Sequence, residues 1–103
     1  MMLDGEMKMF DRAKFQKVFK YSGLTKDELA SLYGVTRQSI YDWLGPSVPT
    51  QKTLIAKEQA VTTGLLAAIE RGVLPMRGVT DKKIRAERIR IMAQQLHVLA
   101  QPK

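Results

Sequence analysis

The sequence predicts an all-α bundle of about five helices with a C-terminal helical extension suited to oligomerisation. Three observations carry that expectation. Apolar residues recur at helical spacing along successive segments. Four segments open with a capping residue that has one apolar residue before it and another four residues into the helix. No alternating apolar–polar run reads as a strand. A chain of 103 residues, 45% hydrophobic, suits one compact domain with a real core.

Residues 1–9 read as a loose leader, with acids and no apolar run of the signal-peptide kind. Asp11 is placed to cap the first helix, Phe10 and Phe15 to staple it, and Ser22-Gly23 to end it. Phe15, Val18 and Phe19 form its apolar stripe; Lys14, Lys17 and Lys20 lie mainly away from it. The second start is the most complete. Thr25 and Glu28 have the spacing of a capping box, and Leu24 and Leu29 occupy the staple positions. This helix spans about Lys26–Tyr33 and stops at Gly34. A third begins at once, capped by Thr36, stapled by Val35 and Ile40, and ended by Gly45-Pro46.

After a stiff loop, Pro46-Ser47-Val48-Pro49, a fourth helix is expected from Thr50 or Gln51 to Arg71, with Gly72 beyond it. Its stripe is Leu54, Val61, Leu65, Ala68 and Ile69, and Thr62-Thr63-Gly64 weakens its middle. A linker at 73–78 leads to a fifth helix, capped by Thr80 with Val79 and Ile84 as staple and running to about Ala100. The organisation is thus a leader (1–9), a two-helix reading unit with its supporting helix (10–49), and a region that completes the core and oligomerises (50–103).

Composition narrows the function classes. No cysteine is present, which removes disulfides, thiolate metal sites and cysteine nucleophiles and fits a reducing cytoplasm. No run approaches a membrane span. His97, the only histidine, has no partner at metal-ligand spacing and reads as a surface residue. No nucleophile–base pair, phosphate loop or dinucleotide fingerprint appears, so neither an enzyme nor a cofactor or metal is expected. The formal net charge of +7 and pI near 9.9 favour a polyanionic partner. That charge is uneven: +2 over residues 1–24, −1 over 25–45, +1 over 46–72 and +5 over 73–103. The centre does not recognise its partner by bulk charge.

Residues 26–45 carry the functional expectation. Two short helices meet at a turn where Gly34 takes a left-handed conformation cheaply, and Ala30 leaves room for them to cross. Leu29, Tyr33, Val35, Ile40 and Trp43 lock the pair inward, and Arg37, Gln38, Tyr41 and Asp42 are pushed out along one face. A protruding helix of this width fits the major groove of double-stranded DNA. Arginine can fork onto guanine and glutamine onto adenine, each pair worth roughly 1–3 kcal/mol of discrimination. Tyr41 can pack on a thymine methyl or bond a phosphate. Asp42 can accept from cytosine or orient Arg37 or Lys26.

The run from Lys26 to Leu44 resembles the helix-turn-helix of the phage lambda Cro and C1-type repressor family. Ala30, Gly34, Ile40 and Trp43 stand at the family's small, turn-glycine, buried aliphatic and terminal hydrophobic positions. The likeness covers about 15–50. It implies a lambda-repressor-like fold, base contacts at Arg37, Gln38 and Tyr41 or Asp42, and phosphate contacts near Thr36 and Ser39. Lys26 and Lys52 are further phosphate candidates. Beyond Thr53 two long helices replace the family's shorter ones, so dimer geometry does not carry over.

The fifth helix supplies a second expectation. Ile84, Ile91 and Val98 repeat every seven residues beside a stripe of Ile89, Met92, Leu96 and Leu99. One stripe can pack on the chain's own core and the other needs a cover, which points to a homodimer through Ile84, Ile91, Met92, Val98 and Leu99. The expected function is a sequence-specific transcriptional regulator, a repressor on a palindromic operator. The alternatives are a DNA-packaging or architectural oligomer and an antitoxin-like protein that clasps a protein partner.

Overall fold

The computed structural model describes residues 10–74 and 78–100, with side chains in the last helix described as far as Leu96. The expected leader and the side chains of His97, Val98 and Leu99 lie outside what the structure describes. Five helices follow one another: α1 (Arg12–Ser22), α2 (Lys26–Tyr33), α3 (Arg37–Leu44), α4 (Lys52–Glu70) and α5 (Lys82–Ala100). No strand occurs among the described residues, and no helix there is long and apolar enough to cross a membrane.

Over the first three helices the local signals act as the sequence predicts. Asp11 accepts the Lys14 N–H at 3.2 Å, and Phe10 rests on Phe15 with ring centroids 5.6 Å apart. Thr25 and Glu28 close the full capping box: Thr25 Oγ1 accepts the Glu28 N–H at 3.1 Å, and Glu28 Oε1 accepts the Thr25 N–H at 2.9 Å. Gly34 has φ of 70°, and the Val35 N–H beyond it reaches back to the Ala30 carbonyl at 3.0 Å. That pattern ends α2 and starts α3 within three residues. An L side chain at Gly34 would be strained in φ, and its Cβ would meet the Lys57 ammonium group.

One core joins all five helices. Within it Phe15, Tyr33 and Trp43 meet in edge-on pairs with centroids 5.4–6.3 Å apart. Each such pair adds about 0.5–1.5 kcal/mol beyond its buried area. Val61 and Leu65 of α4 and Ile89, Met92 and Leu96 of α5 complete the core.

Several expectations are corrected. Asp81, not Thr80, caps α5: its carboxylate accepts the Lys83 and Ile84 N–H groups at 2.8 and 3.1 Å. An anion at a helix N-terminus gains from the dipole as well as the hydrogen bonds, and a hydroxyl lacks the charge. The one-residue shift takes Ile84 out of the staple position and leaves it 47% exposed. Met92, expected on the oligomer-forming surface, is buried with Ile89 and Leu96, because these three share the helix face turned to the core. The middle of α4 is unbroken: Thr62 is buried and hydrogen-bonded on both sides.

Candidate nucleic-acid interface

α3 is eight residues long, too short to be stable alone, so its surroundings must hold it. Beneath, Ile40 and Trp43 are buried. At its start Thr36 Oγ1 accepts the Ser39 N–H, and the two hydroxyls lie 3.2 Å apart. Its end is tied by α1. Arg12 donates through Nε to the Trp43 carbonyl at 3.2 Å and through Nη2 to the Ser47 carbonyl at 2.8 Å. Gln16 Nε2 adds a longer bond to the Leu44 carbonyl, at 3.4 Å. A guanidinium at a helix C-terminus satisfies orphan carbonyls and opposes the negative end of the dipole.

The outward face carries Arg37, Gln38 and Tyr41, all exposed, with Asp42 half-buried. Arg37 Nε lies 3.7 Å from Asp27 Oδ1 of α2, an exposed pair that holds the side chain only weakly. Gln38 Nε2 donates to Asp42 Oδ1 at 2.9 Å. Asp42 therefore orients Gln38, one turn before it, where the sequence pointed to Arg37 or Lys26. The bond leaves Gln38 its amide oxygen and second N–H for a partner. The Lys26 ammonium lies over the Phe19 ring at 5.3 Å and the Tyr41 ring at 5.7 Å, so it links α1, α2 and α3. Lys52 is exposed at the first turn of α4, and among the described residues no hydrogen bond, ion pair or ring contact joins it to this set.

Neither a family model, a curated protein nor a solved structure matches this chain.

Three supports of this face lie outside the sequence reading. Arg12 and Gln16 left no signal in their own segment, because their acceptors are 28–35 residues away. The second support is Arg85 of α5. It grips both Glu28 oxygens, at 2.9 and 2.5 Å, and also donates to the Val79 and Gly23 carbonyls. This arginine holds the Glu28 carboxyl below its usual range, so the residue that caps α2 also anchors α5. Its signal was spacing, since Arg85 precedes Ile89, Met92 and Leu96 on the core-facing stripe.

The third support is a buried chain. Tyr33 Oη and Thr62 Oγ1 lie 2.7 Å apart, and Thr62 donates to Glu58 Oε2 at 2.6 Å. Burial pushes both the Glu58 carboxyl and the Tyr33 phenol upward in pKa. The chain ties α4 to the last residue before the Gly34 turn. Glu58 shares the stripe of Leu54, Val61 and Leu65, so a lone acid among apolar positions was its trace in the sequence.

Proposed function

We infer that this protein is a sequence-specific DNA-binding regulator that inserts α3 into the major groove. The observation that carries the reading is the division of labour along α3. Ile40 and Trp43 are buried, both helix ends are hydrogen-bonded, and Arg37, Gln38 and Tyr41 are exposed on the opposite face. Side chains on a rigid helix can meet base edges in a constant register, which a mobile loop cannot do. Arg37 is the donor to guanine O6 and N7, and Gln38, oriented by Asp42, reads adenine. Tyr41 lies one turn further on. Thr36 and Ser39 at the helix start and Lys26 beside Tyr41 are the phosphate contacts of the reading face, with Lys52 on a neighbouring surface.

The net charge of +7 supports a polyanion, and its concentration outside residues 25–45 assigns most non-specific affinity to the flanking helices. The reading includes a homodimer on a palindromic operator, in which repression follows from occupancy of the site.

The test is selection from randomised duplex DNA with the full chain at a stated salt concentration, repeated with Arg37→Ala. A palindromic consensus is expected. Arg37→Ala should relax the preference at one position in each half-site, a loss of about 1–3 kcal/mol of discrimination. An unaltered consensus would overturn the assignment of Arg37, and no enrichment at all would overturn sequence-specific binding.

A further inference from the structure

Three of the four large aliphatic side chains exposed among the described residues, Val73, Ile84 and Ile91, lie in the C-terminal part of the chain. Ile84 and Ile91 are 47% and 42% exposed and stand two turns apart on one line of α5. Glu87 and Arg88 flank that line, one on each side of it, at 100° per residue. The core-facing stripe of Ile89, Met92 and Leu96 lies about 120° around the helix, by the same wheel. Packing within the chain therefore leaves this face partly uncovered.

We propose that α5 pairs with α5 of a second copy in antiparallel fashion, about a two-fold axis passing between Glu87 and Arg88. The order of residues is what selects this occupant. An antiparallel pair with its axis there sets Ile84 opposite Ile91 of the other copy and Glu87 opposite Arg88, and each contact occurs twice. That is the self-complementarity an isologous dimer requires. A parallel pair would set Glu87 against Glu87 and Arg88 against Arg88, and like charges oppose association.

The surface shape agrees. Beside Ile91 a hollow of about 340 Å³ is bordered by Val73, Arg88, Met92 and Gln95. In the antiparallel register the incoming Ile84 side chain faces this hollow as a knob faces a hole. Arg88 makes no ion pair among the described residues. Glu87 binds Arg90 of its own helix, and a carboxylate retains lone pairs for a second arginine. The arrangement deepens the dimeric part of the function proposed above, since a two-fold axis gives the two α3 helices the inverted relation of a palindrome.

The natural chain has no cysteine, so single thiols report the pairing cleanly. Full-length Ile84→Cys and Ile91→Cys proteins are oxidised separately and as a mixture. A disulfide-linked dimer is expected in the mixture alone, because only unlike positions face each other. Dimers from either single variant would establish a different register and overturn the proposal.

Sedimentation equilibrium supplies an independent readout. The unmodified chain should show twice the monomer mass at micromolar concentration. Glu87→Arg should raise the dissociation constant tenfold or more, and the double swap Glu87→Arg/Arg88→Glu should restore it. A concentration-independent monomer mass, or a swap that fails to rescue, would overturn the pairing. Neither readout involves DNA, so failure here is distinguishable from failure of the DNA-binding reading.

Discussion

α3 and α5 are both surface helices anchored to one core, but they are held in different ways. α3 has eight residues, and Ile40 and Trp43 beneath it are 0% and 4% exposed. Thr36 caps its start, and Arg12 and Gln16 bind its last carbonyls. α5 has nineteen residues, its inward side chains sit at 5–8% exposure on the margin of the core, and one arginine clip sets its position. A short helix gains little from its own hydrogen bonds, so its ends must be satisfied from outside. What results is a polar face of constant geometry. A long helix carries most of its own hydrogen bonding, so a marginal contact and one clip suffice.

That contrast makes the core beneath α3 the most sensitive place in the molecule. Trp43→Ala should cost about 3–5 kcal/mol, whereas Leu96→Ala should cost about 2 kcal/mol, at the low end of the range for core truncations. Urea denaturation of both variants measures the difference. Equal losses would mean that α5 is as deeply anchored as α3.

The clip comes next. Arg85→Met should lower stability by about 2 kcal/mol at pH 7, the scale of charge-assisted hydrogen bonds that are partly shielded from water. Arg85 lowers the folded pKa of Glu28 below its ordinary 4.5, so the clip's contribution is present above that value. It is lost as pH falls through the folded value. The gap between the parent protein and Arg85→Met should therefore close in acid, and a gap independent of pH would remove Glu28 from the account.

Glu58 has the opposite sign. Burial raises its folded pKa above 4.5, so native stability falls as pH rises through the raised value. Glu58→Gln keeps an oxygen for the Thr62 hydroxyl and removes the buried charge. A gain on the order of 1 kcal/mol is expected at pH 7, vanishing below pH 4.5. Denaturation at the two pH values tests it, and a loss at pH 7 would show that the carboxylate is better satisfied than its burial indicates.

The smallest effect belongs to the outward face of α3. Asp27→Ala removes an exposed 3.7 Å pair with Arg37 and should leave stability within about 0.5 kcal/mol. A larger loss in thermal unfolding would mean that this outward face takes part in holding the fold.

Much of this was legible in the chain itself. Thr25 with Glu28, Thr36 with Val35 and Ile40, and Gly34 between them determine where α2 and α3 begin and end, because caps, staples and left-handed turns act within about five residues. The same periodicity separates the buried Ile40 and Trp43 from the exposed Arg37, Gln38 and Tyr41. At α5 local rules were less decisive, since Thr80 and Asp81 both qualify as caps and two apolar stripes compete for one core.

Packing of the helices chose between those stripes, taking Met92 inward and leaving Ile84 and Ile91 outside. It alone brought Arg12 to the end of α3, Arg85 to Glu28, and Glu58 through Thr62 to Tyr33. Arg12 lies 31 residues from Trp43, Arg85 57 from Glu28, and Thr62 29 from Tyr33. A long polar side chain has no local preference that names such a partner; packing of the helices around the aromatic centre determines which groups come within reach.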